Sequence, residues 1–226
     1  MSHPERTVIL GGHGKVALLT IPRLKEAGFV VDAIIRKPEH CADIRALGGN
    51  PVVLNLETAD IDALATAFRG ARAIVFSAGA GGGNPPRTHA VDYEAATRAM
   101  RAAEQAGVMR FVMVSYAGAA HDIHRLNPAN PFYPYAKAKH NADACLRQSP
   151  LDYTILGPAR LTLEAATGRI QRTETAGPDW PDEKRITSRD NVAAAIAHVI
   201  QSGAASRQTV NFYDGDTPIA EAMPPA

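Results

Sequence analysis

The chain has 226 residues, 46% of them hydrophobic, and 24 Lys plus Arg against 23 Asp plus Glu give a net charge of +1. That length suits one large α/β domain, 1–226, with a substantial core, and the near-neutral, unclustered charge excludes a nucleic-acid footprint and a polybasic membrane patch. Met1–Arg6 lacks the apolar core of a signal peptide, and no stretch approaches the roughly 18 apolar residues of a membrane helix, so a cytoplasmic protein with small-molecule partners is expected.

The first apolar run, Thr7 to Leu10, breaks into Gly11-Gly12-His13-Gly14-Lys15-Val16-Ala17 and reads as a strand, a tight turn and a helix start. Glycines there permit positive backbone angles and leave room for a ligand, while the helix's free amides point outward: a phosphate seat. Two registers of the dinucleotide fingerprint fit, one on Gly11, Gly14 and Ala17, the other on Gly12, Gly14 and Ala17. Apolar residues at helical spacing then run to Ala27, and Gly28 ends the helix.

Phe29 to Ile35 is a nearly continuous apolar strand, as expected for a parallel strand covered on both faces. Its tip is Arg36-Lys37, where an NAD site carries an acid for the ribose hydroxyls and an NADP site a base for the 2′-phosphate, so NADP is expected over NAD. A helix over 40–47 leads to a third strand, Pro51 to Leu56, ending in Asn55-Leu56. Next come a helix over Ile61–Phe68 and a fourth strand, Ala73–Phe76, which opens into a glycine-rich loop. Ser77, Ala78 and Gly79 of that loop lie where the far half of a dinucleotide rests.

His89 to Ala106 reads as a long helix with one alanine face, serving either the sheet or a dimer contact, so monomer and homodimer both stay open. A fifth strand, Arg110–Val114, ends at Ser115-Tyr116. After an irregular proline-rich segment, a helix places Tyr135 and Lys139 four residues apart on one face, at the sheet edge where the nicotinamide half belongs. A sixth strand, Asp152–Leu156, precedes a stretch over 157–187, holding the single Trp180, that reads as a small lid; a helix over Val192–Ile200 and a strand over Thr209–Tyr213 follow. The whole is an α/β doubly wound parallel sheet, a Rossmann fold with a small C-terminal lid. Cys41 and Cys145, far apart, read as free thiols, with no disulfide framework and no metal site.

Over nearly its whole length the chain resembles the atypical short-chain dehydrogenase/reductases, in the branch of small NAD(P)-binding proteins that includes the NmrA-like and epimerase/dehydratase-like groups. The resemblance rests on the Gly11–Ala17 turn, Arg36, Asn55-Leu56, the Ser77 to Gly79 loop, Val91-Asp92-Tyr93, Ser115, and Tyr135 with Lys139 as Y-x-x-x-K. Gly157-Pro158-Ala159 and the run from Ile186 to Ala193 complete it. It implies cofactor contacts from Gly11, Gly12, His13, Gly14, Lys15, Val16, Arg36, Lys37, Asn55, Leu56, Ser77, Ala78, Gly79, Lys139 and Pro158. It also implies Tyr135 as proton-transfer group, Lys139 as the cation that lowers its pKa and holds the nicotinamide ribose, and Ser115 as the hydrogen-bonding partner of the substrate oxygen. Aligned on the family's Ser-Ser pair, Tyr116 takes the catalytic serine's place and Ser115 falls one residue early. The expected activity is NADP-dependent hydride transfer to or from a small carbonyl or alcohol; the alternatives are a non-catalytic NADP(H)-binding redox sensor and an epimerase that keeps NAD bound.

Overall fold

Strands covered on both faces need aliphatic side chains at successive positions, and the N-terminal apolar runs supply them. In the computed structural model, which describes residues 4–81, 83–173 and 186–225, six strands lie side by side. They are β1 (Arg6–Leu10), β2 (Val30–Ile35), β3 (Asn50–Val53), β4 (Ala73–Phe76), β5 (Arg110–Val114) and β6 (Asp152–Pro158), parallel and in the order β3-β2-β1-β4-β5-β6. β10 (Gln208–Asp214) pairs in parallel beyond β6, and β8 (Arg169–Thr173) and β11 (Thr217–Pro218) extend that edge through antiparallel pairings. The winding reverses between β1 and β4, so a crevice opens at the carboxyl ends of those strands.

Neighbouring strand residues point to opposite faces. Ile9 packs with α1 (Lys15–Glu26), α2 (Cys41–Ala46) and α8 (Arg189–Ser202), whereas Val8 and Leu10 pack with α3 (Ile61–Phe68), α5 (Ala96–Ala106) and α7 (Tyr133–Gln148). On α5 and the turn before it, Ala95, Ala96, Ala99, Ala102 and Ala103 are fully buried against the sheet and α3, so the alanine face is used inside the chain. The buried guanidinium of Arg110 donates to the carbonyls of Val199 and Ala204 at 3.1 and 2.9 Å, satisfying the carboxyl end of α8. Among the described residues, no helix is long and apolar enough to cross a membrane.

Three local departures from the sequence reading have physical causes. The helix expected from His89 begins earlier, at α4 (Pro85–Thr88): Asn84 accepts from the Arg87 amide, and the following prolines suit a first helical turn. It continues through wide i→i+5 turns over His89–Ala95 into α5. The third strand stops at Val53, and the Asn55 side chain accepts from the Glu57 amide at 3.1 Å and turns the chain. In the expected lid, Gly157 and Pro158 complete β6, β7 (Arg160–Thr162) pairs with β9 (Ile186–Ser188), and β8 joins the main sheet. Trp180 lies outside the described residues. A hub explains that docking: fully buried Asn191 donates to Thr167 Oγ1, the Arg169 carbonyl and Asp214, and accepts from the Gly168 amide.

Gly11 has φ +79°, and a Cβ there would sit 2.6 Å from Ala78 Cα, whereas Gly70, at φ +76°, has open space around it. Gly70→Ala is expected to cost about 1 kcal/mol from backbone strain alone, and Gly11→Ala at least about 2 kcal/mol more, in urea unfolding; equal costs would mean that the approach to Ala78 imposes no constraint.

Candidate functional site

The glycine turn is built by close approaches. A Cβ on Gly12 would lie 2.6 Å from Ala33 Cβ, and one on Gly14 would lie 3.1 Å from the Gly11 carbonyl oxygen. Gly14 stands before α1 without a side-chain cap, so the first-turn amides are left to a ligand. At Gly11 and Gly12 a side chain would strike the neighbouring backbone or side chain, and at Gly14 it would meet the Gly11 carbonyl closely.

Two cavities continue from this turn and share Ser77, Ala78 and Gly79 as a common wall. One, of about 330 Å³, is bounded by Gly11, Gly12, His13, Gly14, Arg36, Lys37, Asn55 and Leu56, together with His40, Glu57 and Arg87. The other, of about 900 Å³, is bounded by Val16, Asp92, Ser115, Tyr135 and Lys139, with Phe132, Leu161 and several prolines as its apolar rim. Most of the residues singled out in the sequence thus converge on one crevice. Lys15 and Pro158 line neither cavity: Lys15 is exposed on α1, and Pro158 is buried in β6, its carbonyl accepting from the Ala117 amide.

The smaller cavity is charged and open. Arg36 Nη1 and Arg87 Nε both donate to Glu57 Oε1, at 2.8 and 3.1 Å, and Lys37 pairs with Glu39 at 3.3 Å. The His13 ring stacks on His40 with centroids 3.5 Å apart, and its Nε2 lies 2.8 Å from Asp43.

The larger cavity ends in a buried polar cluster. Tyr135, Lys139 and Asp143 follow one another at four-residue spacing along α7 and so share a face. Lys139, 1% exposed, donates from Nζ to the Val114 carbonyl at 2.7 Å. Ser115 Oγ lies 2.5 Å from Asp143 Oδ2, and Asp143 Oδ1 has no hydrogen-bond partner among the described residues. Asp92, turned inward by the wide helical turns, accepts from the Ala80 amide at 3.0 Å. Burial raises the pKa values of both Asp143 and Asp92 above the ordinary carboxylate range, against the pull of Lys139.

The Tyr135 phenol departs from the expected role of Lys139. Its pKa is pushed above the ordinary value, first by burial and then by Asp92 and Asp143, the opposite of the lowering expected from Lys139. Tyr116, which takes the family's serine position, lines neither cavity; its ring packs 5.4 Å from that of Tyr135 and 5.5 Å from that of Phe132. Sequence reasoning missed Glu57, Arg87 and Asp143 as site residues. Asp143 had a signal, since it continues the Tyr135–Lys139 spacing by one more turn; Arg87 had none, because the prolines before it read as loop.

Comparison with known proteins identifies the relatives of the chain. The sequence pattern of a family described as NAD(P)H-binding matches residues 11–203. An uncharacterized sugar epimerase, YhfK, from Bacillus subtilis is 35% identical over 220 residues, 96% of this chain and 98% of its own. A Bacillus halodurans structure described as a candidate NAD-dependent epimerase/dehydratase is 33% identical, with a TM-score of 0.84 and coverage of 96% of this chain and 97% of that one. ChuY, an anaerobillin reductase from Escherichia coli O157:H7, is 26% identical, with a TM-score of 0.75 over 93% of this chain and 98% of its own.

A carboxyl whose folded pKa is raised contributes stability below its unfolded value of about 4 and loses it as pH rises toward the folded value, by about 1.4 kcal/mol for each pH unit that separates the two. Wild-type protein should therefore lose melting temperature relative to Asp143→Asn between pH 4 and 8, with the variant the more stable at pH 8. Parallel melting curves across that range would show that Asp143 is ionised at little cost.

Proposed function

The chain belongs to the NAD(P)H-binding family, and on that premise we propose that it is an NADP(H)-dependent reductase acting on a small carbonyl or related unsaturated compound. The observation that carries the reading is a crevice that runs from the uncapped glycine turn to the Tyr135, Lys139 and Ser115 side chains. The chain's own residues fit the cofactor: the glycine turn leaves a cradle that a Cβ would fill, the first amides of α1 are uncapped, and Arg36 stands at the tip of β2 for a 2′-phosphate. When bound, the reduced nicotinamide supplies a hydride to the substrate carbon.

The protein's residues then manage the proton and the geometry. Tyr135 gives its phenolic proton to the substrate oxygen as that oxygen gains electrons, and it is replenished from the open mouth of the cavity. Ser115 Oγ donates to buried Asp143 Oδ2, which holds the serine hydroxyl at the wall of the larger cavity. Lys139, tied to the Val114 carbonyl, fixes the floor of the site and presents its charge to the nicotinamide ribose. An epimerase, as the B. subtilis relative is named, starts by removing a proton from an alcohol, a task that a raised phenol pKa does not assist; ChuY, by contrast, is a reductase. A non-catalytic NADP(H) sensor is favoured by one feature, the engagement of Ser115 and Lys139 with groups of the protein itself.

Two measurements test the proposal. Calorimetric titration should show NADPH binding that weakens about tenfold in Arg36→Ala, with NADH binding unchanged, a tenfold loss corresponding to about 1.4 kcal/mol. With aldehydes, ketones and quinones as probes, NADPH oxidation should fall about 100-fold or more in Tyr135→Phe at unchanged NADPH affinity. Tight NADPH binding with no turnover of any probe would favour the sensor, and no nucleotide binding at all would overturn both readings.

A further inference from the structure

At the adenosine end of the crevice, one carboxylate oxygen holds two arginines. Glu57 Oε1 accepts from Arg36 Nη1 at 2.8 Å and from Arg87 Nε at 3.1 Å, and all three residues line the smaller cavity. We infer that Glu57 sets the cofactor preference of this site: it closes Arg36 and Arg87 into a clasp that a ribose 2′-phosphate must open, while its carboxylate accepts from the free 2′-hydroxyl of the unphosphorylated cofactor. The inference rests on the crevice being an NADP(H) site, and it adds two residues to that reading.

The backbone fixes the clasp. The Glu57 amide donates to the Asn55 side chain, and Arg98 donates to the carbonyls of Leu56, Glu57 and Ala59 at 2.8, 3.3 and 3.1 Å, so the turn that carries the carboxylate is held from both sides. Arg87 is anchored at its other end, where Nη1 donates to the Ala80 carbonyl at 2.6 Å. Arg36 is the more exposed of the two guanidiniums, 47% against 35% for Arg87, with Glu57 as its ion-pair partner. Two guanidinium groups and one carboxylate leave the cluster with one net positive charge. A 2′-phosphate, which carries a charge of about −1.5 to −2 near neutral pH, therefore competes with a fixed anion for both cations. Replacing the carboxylate by an amide leaves two unopposed guanidiniums in the same place and removes the acceptor that prefers a hydroxyl.

The test is calorimetric titration of the full chain with NADPH and NADH, and with 2′,5′-ADP and AMP as probes of the adenosine half alone. Glu57→Gln should tighten 2′,5′-ADP and NADPH about tenfold and leave AMP and NADH unchanged or weaker. Adding Arg87→Met to Glu57→Gln should cancel most of that gain. Glu57→Asp, with the carboxylate drawn back by one methylene, should give a smaller gain in the same direction, which keeps the test informative should the amide variant fold poorly. A ratio of 2′,5′-ADP to AMP affinity within twofold of wild type in both Glu57 variants would overturn the inference while leaving the NADP(H) reading intact. Wild-type protein that binds none of the four would overturn that reading, and the inference with it.

Discussion

The meeting of two backbones at Gly11 and Ala78 is the contact on which the rest of the molecule depends. A parallel sheet that winds outward in both directions from β1 and β4 must send the chain away on opposite sides at that point, and the loops that leave have to pass one another. They do so with no side chain between them, at a separation where a Cβ on Gly11 would lie 2.6 Å from Ala78 Cα. From this approach follow the shared wall of the two cavities, the open first turn of α1, and the position of the Ser77 to Gly79 loop beside the end of β1, where Ser77 donates to the Leu10 carbonyl.

The two ends of the crevice are governed by different physics. In the smaller cavity the charges are half-exposed and screened, so what matters there is which partner each guanidinium holds, and those pairings exchange at little cost. In the larger cavity Lys139, Asp92, Asp143 and Ser115 are almost wholly removed from water. Charge there is expensive, the carboxyl pKa values are raised, and polarity is set by hydrogen bonds to a few fixed partners.

How much of this was visible in the sequence follows from where water is. β1, β2, β4 and β5 are buried on both faces, so their aliphatic runs stand out, and the expected spans of β4 and β5 match the structure residue for residue. The glycine turn and the Tyr135–Lys139 spacing were visible for the same local reason. β8 was not: it lies between β10 and the two-residue edge strand β11, with Ile170 as its one buried residue, so its apolar signal is almost nil, and Asn191 and its neighbours hold it in place from elsewhere in the chain. Glu57 and Arg87 meet only because the turn after β3 and the short helix α4, thirty residues apart, converge. The pKa of Tyr135 escaped because it depends on burial and on Asp92, neither of which a four-residue spacing can convey.

The wide turns over His89–Ala95 bind the chemistry of the site to the length of the chain. An i→i+5 turn holds one residue more than a regular helix, and here it carries Asp92 inward to the Ala80 amide. Removing a single residue from this stretch would let the helix close to ordinary pitch and swing the residues before it by about 100° relative to the alanine face that anchors α5. Such a change would move crevice-lining side chains, Arg87 and Thr88 among them. Related chains that differ by one residue at this point would therefore present different side chains to the same crevice, a divergence that an inventory of identical positions would not register.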